Sequence, residues 1–204
     1  MSLPDPFSGL RRGAYACVAA DPAWQFKHRS TKGEVRSPEA HYRTMPIKDI
    51  CVLPVADLAA TDAWLFLWTT GPHLPSALMV MGAWGFGYSG IAFTWAKQRR
   101  AHDPAQFAFL PTAEADFHVG MGYTTRKNCE FCLLGRRGKP KRLAADVREL
   151  IVAPVREHSR KPDEFFDRVE RFCAGPRVEL FARQSRPGWD SWGNERTKFD
   201  VVAA

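Results

Sequence analysis

Two stretches of this chain, Tyr15–Ala20 and Ala63–Thr69, are apolar almost without a break over the length of one strand. Runs of that kind suit strands covered on both faces, which belong to mostly parallel sheets layered between helices. Helical spacing follows the second run, with Leu74, Ala77, Leu78 and Met81 recurring along Pro72–Ala83. Tyr88–Trp95 and Glu130–Leu134 read as further strands. Lys161-Pro162-Asp163-Glu164 opens a second helix, with proline early and acids in the first turn. Phe165, Val169, Phe172 and Cys173 continue it on one face, Gly175-Pro176 ends it, and Arg177–Phe181 is the next strand. The alternation predicts an α/β fold, a mostly parallel central sheet with helices on both faces. Ligands of such sheets bind beyond the carboxyl ends of the strands.

At 204 residues and 45% hydrophobic content, the chain supports one sizeable core. A single domain over 1–204 is expected, with a mobile substrate-side insertion at about 98–128, where turn formers replace periodicity. Residues 25–45 are also polar and strand-poor. No run of about 18 apolar residues is present to span a membrane. The N-terminus lacks a charged-then-apolar leader pattern, so a cytoplasmic location is expected. Cys129 and Cys132 have zinc-ligand spacing, but no second pair accompanies them and a strand would turn them to opposite faces. They read as structural thiols, and no metal is expected. The net charge is +7, and between 97 and 142 ten basic residues face four acidic ones. That concentration fits a polyanion partner or a solvated basic face, and by itself it does not separate the two.

The first apolar run ends in Asp21-Pro22-Ala23-Trp24. A carboxylate, a carbonyl aimed by a fixed φ and a large aromatic at a strand's end could hold a planar base by its exocyclic amine. The same tetrapeptide, alone, is also an ordinary turn after a strand.

Taken with the rest of the chain, the tetrapeptide resembles the DPPW-motif N6-adenine methyltransferases. These include the catalytic subunit of the eukaryotic mRNA adenosine methyltransferase and short bacterial and phage DNA adenine methyltransferases. The likeness runs from about Pro4 to Phe199. It rests also on His41-Tyr42-Arg43-Thr44-Met45, Leu65-Phe66-Leu67-Trp68-Thr69-Thr70, Trp84-Gly85-Phe86, Phe93-Thr94-Trp95-Ala96-Lys97 and Gly120–Arg126. The C-terminal part adds Arg156–Glu164, Glu179–Arg183 and Gly188–Glu195.

The resemblance implies a Rossmann-like methyltransferase using S-adenosyl-L-methionine, with the catalytic motif preceding most of the donor site. Asp21, Pro22 and Trp24 match the catalytic motif. Lys161, with Ser159 nearby, matches the part that holds the donor's carboxylate. Glu179, Phe181 and Arg183 match the strand meeting its ribose and methionine ends, and Asn194 and Glu195 the pair on its ribose hydroxyls. Asp5 and Pro6 align with its adenine contact. On the substrate side, Tyr42 and Glu130 are candidates for the target base, with structural roles as the alternative. Lys97, Arg126, Arg136 and Arg137 are candidates for phosphates, and His158 is read as structural. The motif's usual second proline is Ala23 here, which loosens the loop without removing an acceptor, and Glu195 stands where glutamine is usual. DNA is the expected polymer. The same reaction on RNA, or a non-catalytic nucleic-acid-binding partner subunit, are the alternatives. Monomer and homodimer both remain open.

Overall fold

The computed structural model describes residues 5–25, 44–99, 117–120, 125–157 and 160–200. Its seven strands are β1 (Tyr15–Ala20), β2 (Ala59–Thr69), β3 (Gly87–Gln98), β4 (Cys129–Arg137), β5 (Leu150–Pro154), β6 (Arg177–Leu180) and β7 (Trp189–Trp192). Among the described residues three α-helices accompany them: α1 (Ile47–Cys51), α2 (Leu74–Ala83) and α3 (Asp163–Phe172). The sheet order is β5-β3-β4-β2-β1-β6-β7. β1 pairs parallel with both β2 and β6, β3 with β5, and β6 with β7. Only β4 runs against its neighbours, β2 and β3, among the described strands. The expected mostly parallel α/β sheet is therefore present.

Alternation along the strands divides the core in two. Val18, Ala20, Leu65, Leu67 and Leu133 point to the side where α1 and α2 contribute Ile50, Ala77, Val80 and Met81. Cys17, Ala19, Phe66, Trp68, Phe93 and Cys132 point to the other, against Phe165, Phe166 and Val169 of α3. A period of two in a strand sends successive side chains to opposite faces, so each apolar run has to be roofed twice. Tyr15 joins the α2 side out of phase with Cys17, because the register slips between them. The α3 side is dense in rings: Phe165 meets Phe66, Trp68, Phe93 and Phe166 edge-on at 4.9–6.3 Å. The α3 start is as the sequence suggests, with Asp163 and Glu164 in the first turn and Arg171 in the last.

β1 is the pivot of this topology. Its partners β2 and β6 lie on opposite sides, so the chain's connections diverge at its carboxyl end and leave a crevice there. The residue that follows β1 is Asp21.

Candidate active site

A cavity of about 540 Å³ opens beyond the paired carboxyl ends of β1 and β6. Asp21 and Ala23 line it from the β1 loop, and Phe181, Ala182 and Arg183 from the end of β6. Trp192, Gly193, Asn194 and Glu195 close it from the end of β7, and Thr44, Met45, Pro46 and Asp49 from the approach to α1. Its volume suits a nucleotide-sized ligand. A narrower recess opens beside it between Asp21, Trp68, Lys161, Glu179 and Arg186.

Phe181 adopts φ +63°. A bulky residue in the left-handed region is uncommon and strained, and such strain clusters at ligand sites. Here it follows the last residue of β6, and the ring meets Trp192 edge-on at 5.3 Å. Gly193 is where backbone meets backbone: a Cβ there would lie 2.5 Å from the Ala182 carbonyl oxygen and 2.8 Å from its nitrogen. Only glycine permits that approach, which brings Asn194 and Glu195 to the cavity.

Asp21 is held by charge. Lys161 Nζ donates to Asp21 Oδ2 at 2.6 Å and lies 3.3 Å from Glu130 Oε2. Glu130 also pairs with Lys97 through Oε1. Burial by itself would push the Glu130 carboxyl up; Lys161 and Lys97 outweigh it and hold it down at about 2. Glu179 goes the other way: burial raises it to about 7, against the opposing pull of Arg186. Glu195 is paired with Arg183 and Lys198, which keep its carboxyl below the usual range.

Several of the other candidate residues do not line the cavity. Trp24 is not an open stacking platform. It is 4% exposed, stacks on His73 at 5.7 Å and donates its indole N–H to the Trp68 carbonyl at 3.1 Å. It pins the loop after β1 to the end of β2. Pro22 is buried, does not line the cavity, and its carbonyl already accepts the Trp24 N–H at 2.8 Å, leaving one lone pair. Asp5 and Pro6 are exposed and do not line the cavity either. Asp5 is engaged by Arg12 and the Phe7 N–H, while the Pro6 carbonyl accepts from Trp192 Nε1 at 2.6 Å. Lys97 is committed to Glu130 and not extended toward solvent.

Arg136 and Arg137 lie at the wrong end of the sheet. β4 runs antiparallel, so Glu130 is level with Trp95 near the site while Arg136 and Arg137 pair with Trp64 and Ala63. Six residues of strand put about 20 Å between those levels. Arg137 instead donates to the Ala56 carbonyl at 2.5 Å. Arg126 is exposed on the site side, near the short bridge between Gly120 and Lys127. Tyr42, His158 and Ser159, and most of the 98–128 insertion, lie outside the described residues.

The sequence reading missed Thr44, Met45, Pro46 and Asp49 as cavity walls, and Arg186 beside Glu179. Thr44 and Met45 carried a signal as the end of the His41–Met45 motif, and in the structure the Met45 N–H bonds the Ala23 carbonyl at 2.8 Å.

A mostly parallel sheet with a part-buried ion pair and a nucleotide-sized cavity at its switch point is a Rossmann-like arrangement. A family model described as MT-A70 matches residues 15–195, and the chain belongs to that family. It is 31% identical to the Type II methyltransferase M.MunI of Mycoplasma sp, over 95% of this chain and 82% of that protein. It is 31% identical to an Arabidopsis thaliana N(6)-adenosine-methyltransferase MT-A70-like protein, over 90% of this chain and 24% of that one. To the human N(6)-adenosine-methyltransferase catalytic subunit METTL3 it is 27% identical, over 90% of this chain and 28% of that one. The chain thus spans most of the first relative and about a quarter of the other two.

Proposed function

We propose that this chain transfers a methyl group from S-adenosyl-L-methionine to the N6 amino group of adenine in DNA. The observation that carries the reading is Asp21, fixed by Lys161 at the carboxyl end of the central strand and opening on the about 540 Å³ cavity.

The donor set fits S-adenosyl-L-methionine. Phe181 and Trp192 offer apolar walls, and Asn194 and Glu195 offer hydroxyl partners. The recess beside them holds charged groups of both signs for an amino-acid end: Lys161, Arg186 and Glu179. The indole N–H of Trp68 is a buried donor with no partner among the described residues, in the wall of that recess. Bound there, S-adenosyl-L-methionine would supply an electrophilic sulfonium methyl.

The residues' part is positioning. An adenine amine is a weak nucleophile because its lone pair is delocalised into the ring, and its proton is too weakly acidic for a carboxylate to remove first. Asp21 accepts one amine hydrogen, and the remaining lone pair of the Pro22 carbonyl is the acceptor we assign to the other. Together they favour a tetrahedral nitrogen with its lone pair free, and the proton departs only after attack has made it acidic. This is stabilisation of developing charge and orientation. The target base has to leave the stack to reach Asp21.

DNA is favoured by the relative matched along most of its own length, the Type II methyltransferase. The RNA reading draws on the equal identity to the Arabidopsis protein. Tritium transfer from labelled S-adenosyl-L-methionine, with DNA and RNA in competition, tests both. Label in N6-methyladenine of DNA supports the reading, and label in RNA alone replaces it. Donor binding with no transfer to either polymer would overturn it.

A further inference from the structure

We propose that Lys97 is a positioning residue for methyl transfer, acting through Glu130 and Lys161 to fix Asp21; this rests on the function read above. Four side chains form a line of alternating charge, Lys97–Glu130–Lys161–Asp21, drawn from β3, β4, the approach to α3 and the end of β1. All four are largely shielded, with side-chain exposures of 20%, 18%, 9% and 20%.

The division of Glu130 is the informative detail. Oε1 takes Lys97 and Oε2 takes Lys161, at 3.3 Å, while Lys161 sits closer to Asp21, at 2.6 Å. Lys161 therefore stands between two carboxylates and leans to Asp21. Lys97 sets that balance by occupying one oxygen of Glu130. With Lys97 gone, both oxygens of Glu130 compete for the Lys161 ammonium in a poorly hydrated place, where charges act strongly. Lys161 is then drawn toward β4, and its 2.6 Å pair with Asp21 loosens.

Lys97 is itself well placed for this. Its N–H bonds the Asn128 carbonyl at 2.9 Å, beside the residue pair Trp95–Glu130, and its ammonium lies 5.0 Å from the Trp95 ring centre. β3, β4 and the Trp95 face thus hold both ends of the pair. A lysine reaching for phosphate would be expected at the surface, as Arg126 is.

The experiment uses the full chain, labelled S-adenosyl-L-methionine and genomic DNA free of N6-methyladenine. Lys97→Met is expected to lower kcat about ten- to hundredfold, the scale on which a small misplacement of a catalytic group acts. The KM for DNA and its salt dependence should stay near those of the parent, and Lys97→Arg should recover most of the rate. An unchanged kcat with a raised KM and a shallower salt slope would overturn the proposal in favour of a phosphate contact. So would equal loss in Lys97→Met and Lys97→Arg. Should Lys97→Met fail to fold, Lys97→Gln, which keeps a polar side chain and removes the charge, must show the same kcat loss; a parent-like kcat overturns it. A readout free of activity is the Lys161 side-chain resonance in lysine-labelled protein, which should move in Lys97→Met. An unmoved resonance sinks the inference, whereas a parent protein that methylates neither polymer sinks only the functional reading.

Discussion

Asp21 and Lys161 lie 140 positions apart in sequence and 2.6 Å apart in space. Removing either leaves a different defect. Asp21→Ala takes away the acceptor for the amine, and by analogy with loss of one oriented partner kcat should fall by about two to three orders of magnitude. Donor binding should persist, and near-parent turnover in a single-turnover assay would remove Asp21 from its role. Lys161→Ala leaves Asp21 and Glu130 without their shared cation, and calorimetry should show weakened donor binding. Glu179 predicts a pH dependence. Its carboxyl is raised from 4.5 to about 7, so its stabilising contribution is full below 4.5 and lost as pH rises through 7. The loss is on the order of 3 kcal/mol, and Glu179→Gln should flatten that part of the donor-free stability profile. Glu130, lowered to about 2, has the opposite sign: its contribution is present above 4.5 and disappears as pH falls through 2. Residue types at the β1 end were legible in sequence as an acceptor set. Which of them faces the cavity was not, because Trp24 is drawn inward by His73 and the Trp68 carbonyl, neither of which is near it in sequence.

At the scale of elements, the core strands and the two longer helices could be read because their apolar spacing matches one period or the other. Four-residue β7 and five-residue β5 could not. They lie at the two edges of the sheet, and edge pairing alone makes them strands. β4 was recognised as a strand, yet its direction is invisible in its own residues. Direction depends on which neighbours it joins, and it is what sends Arg136 and Arg137 away from the site. The β6 and β7 ends depend on the Gly193 approach to Ala182. Gly193→Ala has to move backbone, so it should shift Asn194 and Glu195 and weaken donor affinity about tenfold or more, since misplaced partners lose binding steeply. Calorimetry on the folded variant checks this, and unchanged affinity would show that the approach is not needed.

For the whole molecule, the basic residues near the insertion divide between the two ends of the sheet. If the site end holds nucleic acid, affinity should fall steeply with salt. Arg126→Gln should weaken DNA binding and reduce the salt slope by about one, while Arg136→Gln should do neither. Fluorescence anisotropy over a salt series separates these outcomes, and equal effects of both would mean that DNA contacts extend to the far end. The charge excess was legible from composition, but its partition was not.

Local order in this chain follows from nearest neighbours: apolar periodicity sets strand and helix, and the Asp-Pro-Ala-Trp step marks the turn that ends β1. These are properties of short segments, and sequence alone fixed them. The pairing of Lys161 with Asp21, the burial of Trp24 and the exile of Arg136 and Arg137 are long-range. They arise only when seven strands take one order and one of them reverses, because a side chain's partners are then chosen by the sheet and not by the chain.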